Sequence, residues 1–357
     1  MVLCSLARSS VVLQRNAVQR AFCGSQQLSL VRAFSQDVPK VTAAMVKELR
    51  ERTGSPMMEC KKALSDPEVA GDMKLASEWL RKRGVAMAAK KMDRAMNDGL
   101  VAVVRDETNK FASLVEVSSE TDFVARNDVF QGTVQKVAQA ALDSKAATVD
   151  ELLKIDSESE SVSDRLIQLT ATLGENIALK NVAQVAVERG VIGSYIHNKR
   201  GDIAGTQVAV VALESENTLE GESLEKVQTF ADRLAMHLVG AQAMFLDTVP
   251  QSVVDSERKI ELERLMSEAT ANTEKQVDPQ VLEKRVNKKV DKILRKKVEE
   301  EVLLNQNLVS MDPELSGKKV SKAIEMVAKA SGTKLTVPCA VRLQVGLEEQ
   351  AILKSAK

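Results

Sequence analysis

Gly99-Leu-Val-Ala-Val-Val-Arg105 and Phe111-Ala-Ser-Leu-Val-Glu-Val117 flank the polar turn Asp106 to Lys110, and together they read as a β-hairpin. Beyond Ser118 to Asn127 a helix is expected, carrying Phe130, Val134, Val137, Ala138 and Ala141. The same order then recurs. Gly190-Val-Ile-Gly-Ser-Tyr-Ile-His197 and Gln207-Val-Ala-Val-Val-Ala-Leu213 flank the turn Asn198 to Thr206, and a helix follows from about Ser223 to Phe245. Each unit begins with Gly and an apolar strand and ends in an Ala-rich amphipathic helix. The fold class is therefore α+β, with a duplicated hairpin-plus-helix core that lacks the βαβ rhythm of a nucleotide-binding sheet.

Upstream of the first hairpin the chain turns helical. Thr42 is placed to cap a helix bearing Val46 and Leu49, which Gly54 ends; Ser55-Pro56 opens a second helix with Met57, Cys60 and Leu64 on one face. A third runs from about Asp72 through Leu75, Ala76, Trp79 and Leu80 to Gly84. Residues 156–163, acidic and Ser-rich, read as a solvated linker. Residues 252–307 carry two long helical stretches parted by Asn272 to Pro279; the second puts Leu282, Val286, Val290, Ile293 and Val298 on one face, with lysines and arginines around the rest. A helix near 318–331 and a strand from Lys334 to Leu347 close the chain, the strand joining the second sheet. The expected divisions are a leader at 1–36, a three-helix module at 37–92, a first core subdomain at 93–160, and a second at 161–350 that includes the helical hairpin 252–307.

The leader differs in kind from the rest of the chain. Residues 1–36 hold Arg8, Arg15, Arg20 and Arg32, several serines, and no acidic residue before Asp37. Such a basic, acid-free, Ser-bearing segment is the composition of a mitochondrial or plastid transit peptide, and Arg32-Ala33-Phe34-Ser35 resembles a mitochondrial cleavage site. The expected location is the mitochondrial matrix after the leader is removed, with plastid targeting as the other possibility. Fifty basic and 50 acidic residues balance in the full chain; without those four arginines, 46 face 50. A mildly acidic protein is a poor general binder of nucleic acid, so none is expected as a partner. No apolar run approaches the roughly 18–20 residues a membrane span needs, and no membrane association is expected.

Placed catalytic groups are missing from the pattern. There is no G-x-x-x-x-G-K-[ST] and no G-x-G-x-x-G, so direct nucleotide binding is not expected. His197 and His237 are the only histidines, without a C-x-x-C or H-E-x-x-H, and no metal or cofactor is expected. No nucleophile elbow is visible, which points away from an enzyme.

Several segments then carry a family resemblance. The stretch from Val41-Thr-Ala-Ala-Met-Val-Lys-Glu-Leu-Arg50 through Ser55-Pro-Met-Met-Glu-Cys-Lys-Lys-Ala-Leu64 resembles the N-terminal module of the elongation factor Ts family, as does Glu78-Trp-Leu-Arg-Lys-Arg-Gly84. Thr121-Asp-Phe-Val-Ala-Arg-Asn127 is similar to the family's most distinctive motif. Gly174-Glu-Asn-Ile177, Gly193-Ser-Tyr-Ile-His197 and Ala235-Met-His237 look like its later landmarks, in family order. The resemblance implies a ubiquitin-associated-like N-terminal module, a two-part α+β core, and guanine-nucleotide exchange on the GTPase elongation factor Tu in organelle translation. It implies a partner-binding set at Thr121, Asp122, Phe123, Val124, Arg126 and Asn127. Within it, Asp122 and Phe123 would enter the partner's G domain and disturb its magnesium and phosphate site. Met236 and His237 are implied at the interface as well. The turn Asn198 to Thr206 is longer than the bacterial pattern, so no contacts are assigned within it.

From the residues alone, Phe123 has two readings. A continuous helix would bury it on the same face as Phe130, seven residues on. Alternatively, Ser119 or Thr121 caps a short turn, Asn127 takes a left-handed position that ends it, and Asp128 with Gln131 caps a new helix, leaving Phe123 exposed at a corner. His237 reads either as a packed core histidine or as a contact. The basic face near 284–297 reads as a solvated helical surface, with RNA contact the lesser reading because aromatic stacking residues are absent. A ribosome- or RNA-associated scaffold is thus the alternative function.

Overall fold

Both hairpins form, and both are laid out by the same backbone device. In the computed structural model, which describes residues 4–8, 41–157, 160–271, 279–310, 312–348 and 350–355, Gly99 has φ +138° and Gly190 has φ +134°. A Cβ at Gly99 would lie 2.3 Å from the Val117 carbonyl oxygen, and one at Gly190 would lie 1.9 Å from that of Leu213. Only glycine fits at either position, because the two strands of each hairpin close on one another there.

In chain order the elements are β1 (Cys4–Arg8), α1 (Ala43–Thr53), α2 (Met57–Ser65), α3 (Met73–Lys91), β2 (Asp98–Arg105), β3 (Phe111–Ser119), α4 (Asp122–Ala125), α5 (Asp128–Ser144) and α6 (Val149–Leu153). The short strands β4 (Asp156–Ser157) and β5 (Glu160–Ser161) pair with each other. Next come α7 (Val162–Leu173), β6 (Ile177–Ala186), β7 (Gly190–His197), β8 (Ala204–Gly205), β9 (Gln207–Ser215) and α8 (Gly221–Ala241). The chain ends with α9 (Gln251–Ala271), α10 (Pro279–Glu301), a 3₁₀ turn at Leu303–Asn305, α11 (Val320–Ser331), β10 (Leu335–Gln344) and β11 (Ala351–Lys354). Apart from β1, the leader expected at 1–36 lies outside the described residues.

The first sheet runs β1-β6-β3-β2-β8 and the second β11-β10-β9-β7, with antiparallel neighbours throughout. The duplication therefore extends past the hairpin. In each sheet a third strand, β6 or β10, adds beside the second strand of the hairpin. Strand β6 was not anticipated from the sequence. With α7 it returns to the first sheet, so the subdomain boundary expected at 160 falls before two elements of the first unit. The turn Asn198 to Thr206 also crosses over: its β8 pairs Ala204 with Ala102 and Gly205 with Val101 of the first sheet.

Period-two alternation on these strands serves two different cores. On β2, Leu100 and Ala102 pack with Phe130, Val134 and Val137 of α5, while Val101 and Val103 face the second sheet. On β9, Ala209, Val211 and Leu213 pack with Phe230, Leu234 and Leu238 of α8, while Val208, Val210 and Ala212 meet the first sheet. The layers run helices, sheet, sheet, helices. Both faces of β2 and β9 are buried, which is why these strands read as nearly unbroken apolar runs. Each Val or Leu so enclosed contributes about 1.5–3 kcal/mol of transfer free energy.

Two smaller cores stand outside these layers. In the N-terminal module, Leu49, Cys60, Ala63, Leu64 and Ala76 are fully buried, with Trp79 packed against them. Thr42 caps α1 as expected, accepting from the Met45 N–H, and Asp72 caps α3. Met57, expected on the buried face of α2, is instead 49 % exposed, because the helix starts at this residue and its first turn overhangs the core. Helix α3 continues beyond Gly84 to Lys91, packs across α7, and its Lys91 Nζ donates to the Gly174 carbonyl. The second satellite core joins α9 and α10. Here Val286, Val290 and Leu294 form the buried stripe, so Leu294 rather than the expected Ile293 completes the seam. The spacing i, i+4, i+8 keeps these three on one side of the helix.

Candidate partner-binding site

Strand β3 ends at Ser119, and the chain must turn before α5 can lie across the sheet. The turn is a four-residue helix, α4, followed after Arg126 and Asn127 by the fresh start of α5. Thr121 occupies the position before α4 in extended geometry (φ −133°, ψ 157°), yet its hydroxyl makes no cap. That hydroxyl instead donates to Glu175 Oε1 at 2.6 Å, and the Thr121 N–H donates to Glu175 Oε2 at 3.0 Å. Nearby, the Asn176 N–H donates to Glu120 Oε1 at 2.6 Å, and the Asn176 side-chain amide donates to the carbonyls of Met92 and Arg94. Arg94 also pairs with Glu120 at 3.3 Å. The segment Gly174-Glu-Asn-Ile177 therefore braces a corner that lies more than 50 residues upstream (Thr121 and Glu175 are 54 apart). Sequence reasoning noted both segments and missed that they meet; the Glu in the second was the available signal.

Asn127 does not take a left-handed conformation. It is the N-cap of α5 (φ −75°, ψ 131°), and its side chain accepts from the Val129 N–H at 2.8 Å. The capping box expected from Asp128 and Gln131 is likewise replaced: Gln131 Nε2 donates to the Ala125 carbonyl across the corner. The break between two helices is real, but its cap lies one residue earlier. An Asn cap satisfies an otherwise open N–H at the start of α5, which lets the chain change direction here without loss.

That break decides where the side chains of α4 go. Val124 and Ala125, each 7 % exposed, turn into the core beneath α5. Val124, expected in the contact set, is a corner anchor rather than a surface group. Phe123 points the other way and is 78 % exposed, the largest value among the exposed large apolar side chains. Asp122 Oδ2 and Arg126 Nη2 pair at 2.6 Å along the outside of the turn.

The two residues expected on the second unit divide similarly. Met236 is half-buried on α8. His237 is 2 % exposed, and both ring nitrogens are engaged. Its Nδ1 accepts from the Val309 N–H at 3.2 Å, so the proton sits on Nε2, which donates to Gln306 Oε1 at 3.1 Å. Burial pushes the His237 pKa down, only partly opposed by the Gln306 bond, and the ring is held neutral. The expectation that His237 itself contacts a partner is corrected: the ring positions the segment after the 3₁₀ turn, where Val309 is 68 % exposed. On β7, Ser194 is held through its N–H by Asp232 Oδ1 of α8 at 2.8 Å, and Arg105 reaches the same carboxylate from β2.

Among the described residues, no group of three or more His, Cys, Asp or Glu is disposed to hold a metal ion, and no helix is long and apolar enough to cross a membrane. The two paired sheets and the braced corner define a class of protein: a two-unit α+β scaffold that presents one large aromatic side chain from a rigid turn. The family model for elongation factor Ts matches residues 120–347. The chain is 38 % identical over 311 residues to elongation factor Ts of Paramagnetospirillum magneticum strain AMB-1, covering 86 % of this chain and 92 % of that protein. It is 37 % identical to elongation factor Ts of Maricaulis maris strain MCS10 over 311 residues, with the same coverage. Its identity to the Rhizobium johnstonii protein of that name is 39 % over 311 residues, 86 % of this chain and 93 % of that one. This chain belongs to the elongation factor Ts family.

Proposed function

We propose that this protein is the guanine-nucleotide exchange factor of elongation factor Tu in mitochondrial translation, working through surface contact rather than chemistry of its own. The observation that carries this reading is Phe123, 78 % exposed on a corner whose neighbours are hydrogen-bonded or buried. Solvent exposure of an aromatic ring on a rigid turn is a cost unless a partner covers it, and a rigid turn loses little freedom on docking. Asp122 beside it places a carboxylate where it would compete with phosphate for a partner's cation. Met236 and the Val309 segment, held by His237, supply a second contact region on the other unit. In the N-terminal module, Met57 (49 % exposed) and Met58 (63 % exposed) form an adaptable apolar docking surface.

The mitochondrial setting rests on the acid-free, arginine-bearing residues 1–36, since the three relatives are bacterial. Exchange is tested by adding residues 37–357 to elongation factor Tu loaded with labelled GDP. Acceleration of GDP release at catalytic amounts supports the reading, and an unchanged release rate removes it. Import into isolated mitochondria followed by N-terminal mass analysis tests the leader: processing near Phe34–Ser35 is expected, and retention of Met1 or Val2 in the imported form contradicts it.

A further inference from the structure

The helical hairpin is not used by this reading, and its outer surface is chemically one-sided. Helix α10 turns Val286, Val290 and Leu294 inward against Val254, Leu262, Leu265 and Met266 of α9. Its packing partners are α9 and, at its C-terminal end, the turn Leu303–Asn305. On the side away from that seam lie Lys284, Arg285, Lys288, Lys289, Lys292 and Arg295, all exposed. At 3.6 residues per turn they fall within an arc of about 140° and a length of about 17 Å. No acidic residue interrupts the arc between them: Glu283 falls on the opposite side of the helix, and Asp291, at the edge of the arc, is taken by Arg258 of α9 at 2.6 Å. None of the six has an ion-pair partner among the described residues, whereas Lys296 and Lys297 just beyond them pair with Glu300 and with Glu257 and Glu301.

We propose that this stripe docks on the phosphate backbone of double-helical RNA. The hairpin maintains six like charges side by side, which repel one another and are offset by no protein partner among the described residues. Their composition selects among the polyanions. No apolar or aromatic side chain lies on the arc between Lys284 and Arg295. Without an apolar face the helix has nothing to insert into a membrane. Without aromatic rings it has nothing on which unpaired bases can stack. Protein interfaces are depleted in lysine at their centres and need apolar anchors, whereas four of these six cations are lysines. What remains is contact with regularly spaced phosphates, which requires cations and little else and recognises shape before sequence. The mild acidity of the rest of the mature chain limits such contact to this helix, so the protein as a whole would bind weakly and in one orientation.

The test uses the full processed chain and a fluorescent RNA stem-loop with a stem of about 16 base pairs, titrated at several salt concentrations. A stripe that meets three to five phosphates gives a log–log salt slope of about −2.7 to −4.5. Lys288→Glu/Lys289→Glu/Lys292→Glu is expected to weaken binding at least tenfold and flatten the slope by about 2 or more. Lys288→Gln/Lys289→Gln/Lys292→Gln should fall between. Circular dichroism of each variant confirms that the hairpin is kept, and GDP release from elongation factor Tu should be unchanged, which separates this surface from the exchange site. Equal binding by wild type and the Glu variant overturns the proposal. So does equal or tighter binding to phosphatidylserine vesicles or to polyglutamate, which would assign the stripe to a lipid surface or an acidic protein.

Discussion

Glu175 holds Thr121 at two points, accepting from its backbone N–H at 3.0 Å and from its hydroxyl at 2.6 Å. One carboxylate thereby fixes both the start of the short helix α4 and the register of everything on it, including Phe123 two residues later. The bonds are charge-assisted, and each is worth about 1.5–3 kcal/mol when protected from water. Glu175 is only half-buried, so the lower end of that range applies. Its role is to aim the corner.

Glu175→Ala is therefore expected to slow catalysed GDP release while lowering the melting temperature only slightly. Thr121→Val, which removes the hydroxyl and keeps the N–H, should give a smaller loss in the same direction. The two changes should be non-additive in a double-mutant cycle, because they remove parts of one interaction. Simple additivity in the exchange assay would mean that Glu175 does not act through Thr121.

His237 gives a pH signature. Burial lowers its pKa below the ordinary value of about 6.5. A folded-state pKa depressed in this way contributes stability that is present above pH 6.5 and is lost as pH falls towards and through the folded value. Wild-type protein should accordingly lose stability between about pH 7.5 and 5.5 in part through this ring. His237→Ala should destabilise by about 2–4 kcal/mol at about pH 7.5, from a cavity and from the unpaired Gln306 and Val309 groups. It should also show a shallower pH dependence over that interval. Thermal melts at the two pH values check both; a slope identical to wild type would exclude His237 as its source.

Glu116 carries the opposite sign. It is fully buried on β3, where Asn181 Nδ2 donates to it at 2.6 Å, Gln350 Nε2 at 3.1 Å and Ser118 Oγ at 3.2 Å. Desolvation nevertheless dominates and raises its pKa above the ordinary carboxylate value. The stability linked to this group is present below the unfolded pKa and is lost as pH rises through the folded one. Glu116→Gln removes the buried charge, keeps an acceptor, and brings an amide N–H₂ into a cluster where the buried Asn181 Oδ1 has no hydrogen-bond partner. It should cost less than about 1 kcal/mol at about pH 8, or stabilise, whereas Glu116→Ala should cost about 2–4 kcal/mol by leaving the Asn181 amide and the Ser118 hydroxyl open, while Gln350 keeps the Gln344 and Leu347 carbonyls. Urea denaturation of the two variants at that pH compares them directly; equal losses would mean that the buried charge, and not the lost acceptor, sets the cost.

How far the sequence carried differs between the layers and the site. The two hairpins, α5, α8, the N-terminal helices and β10 were legible because apolar periodicity and Gly or Pro punctuation agree locally. Strand β6 was not, since Ile177-Ala-Leu-Lys-Asn-Val-Ala-Gln-Val-Ala186 mixes polar residues into an apolar run. Asn181 and Gln184 in that run are buried because Glu116 and the Ala146 carbonyl pair with them across the fold, which no local pattern announces. At the corner, the break in the helix was legible, whereas the cap was misplaced by one residue and the brace by Glu175 was invisible. Asn serves equally well as a C-terminal left-handed residue and as an N-cap, so composition could not choose between them. His237 was ambiguous for a similar reason: an Ala-rich helix face suits a packed ring and a contact alike, and the Gln306 and Val309 partners lie 69 and 72 residues away.

Phe123→Ala is expected to slow exchange strongly and leave the fold intact. An exchange factor must bind the nucleotide-free partner more tightly than the loaded one, and linkage makes the effect reciprocal: nucleotide weakens the factor by the ratio in which the factor weakens nucleotide. That difference has to come from groups that fit only when the phosphate and magnesium site is distorted. Burying an exposed Phe contributes about 1.5–3 kcal/mol, which corresponds to roughly a 10- to 100-fold effect on the exchange rate. Since Phe123 is 78 % exposed in the free protein, its removal opens no cavity, and the melting temperature should stay within about 1–2 °C of wild type. Asp122→Ala should act in the same direction and less strongly, because it forfeits a solvent-exposed pair with Arg126 that contributes little to stability. Val124→Ala supplies the contrast. It removes a buried anchor of the same corner, so it should lower the melting temperature and impair exchange together. GDP release and a melting curve on the three variants separate contact from packing. A Phe123→Ala protein that melts normally and exchanges at the wild-type rate would show that the exposed ring is not what the partner meets.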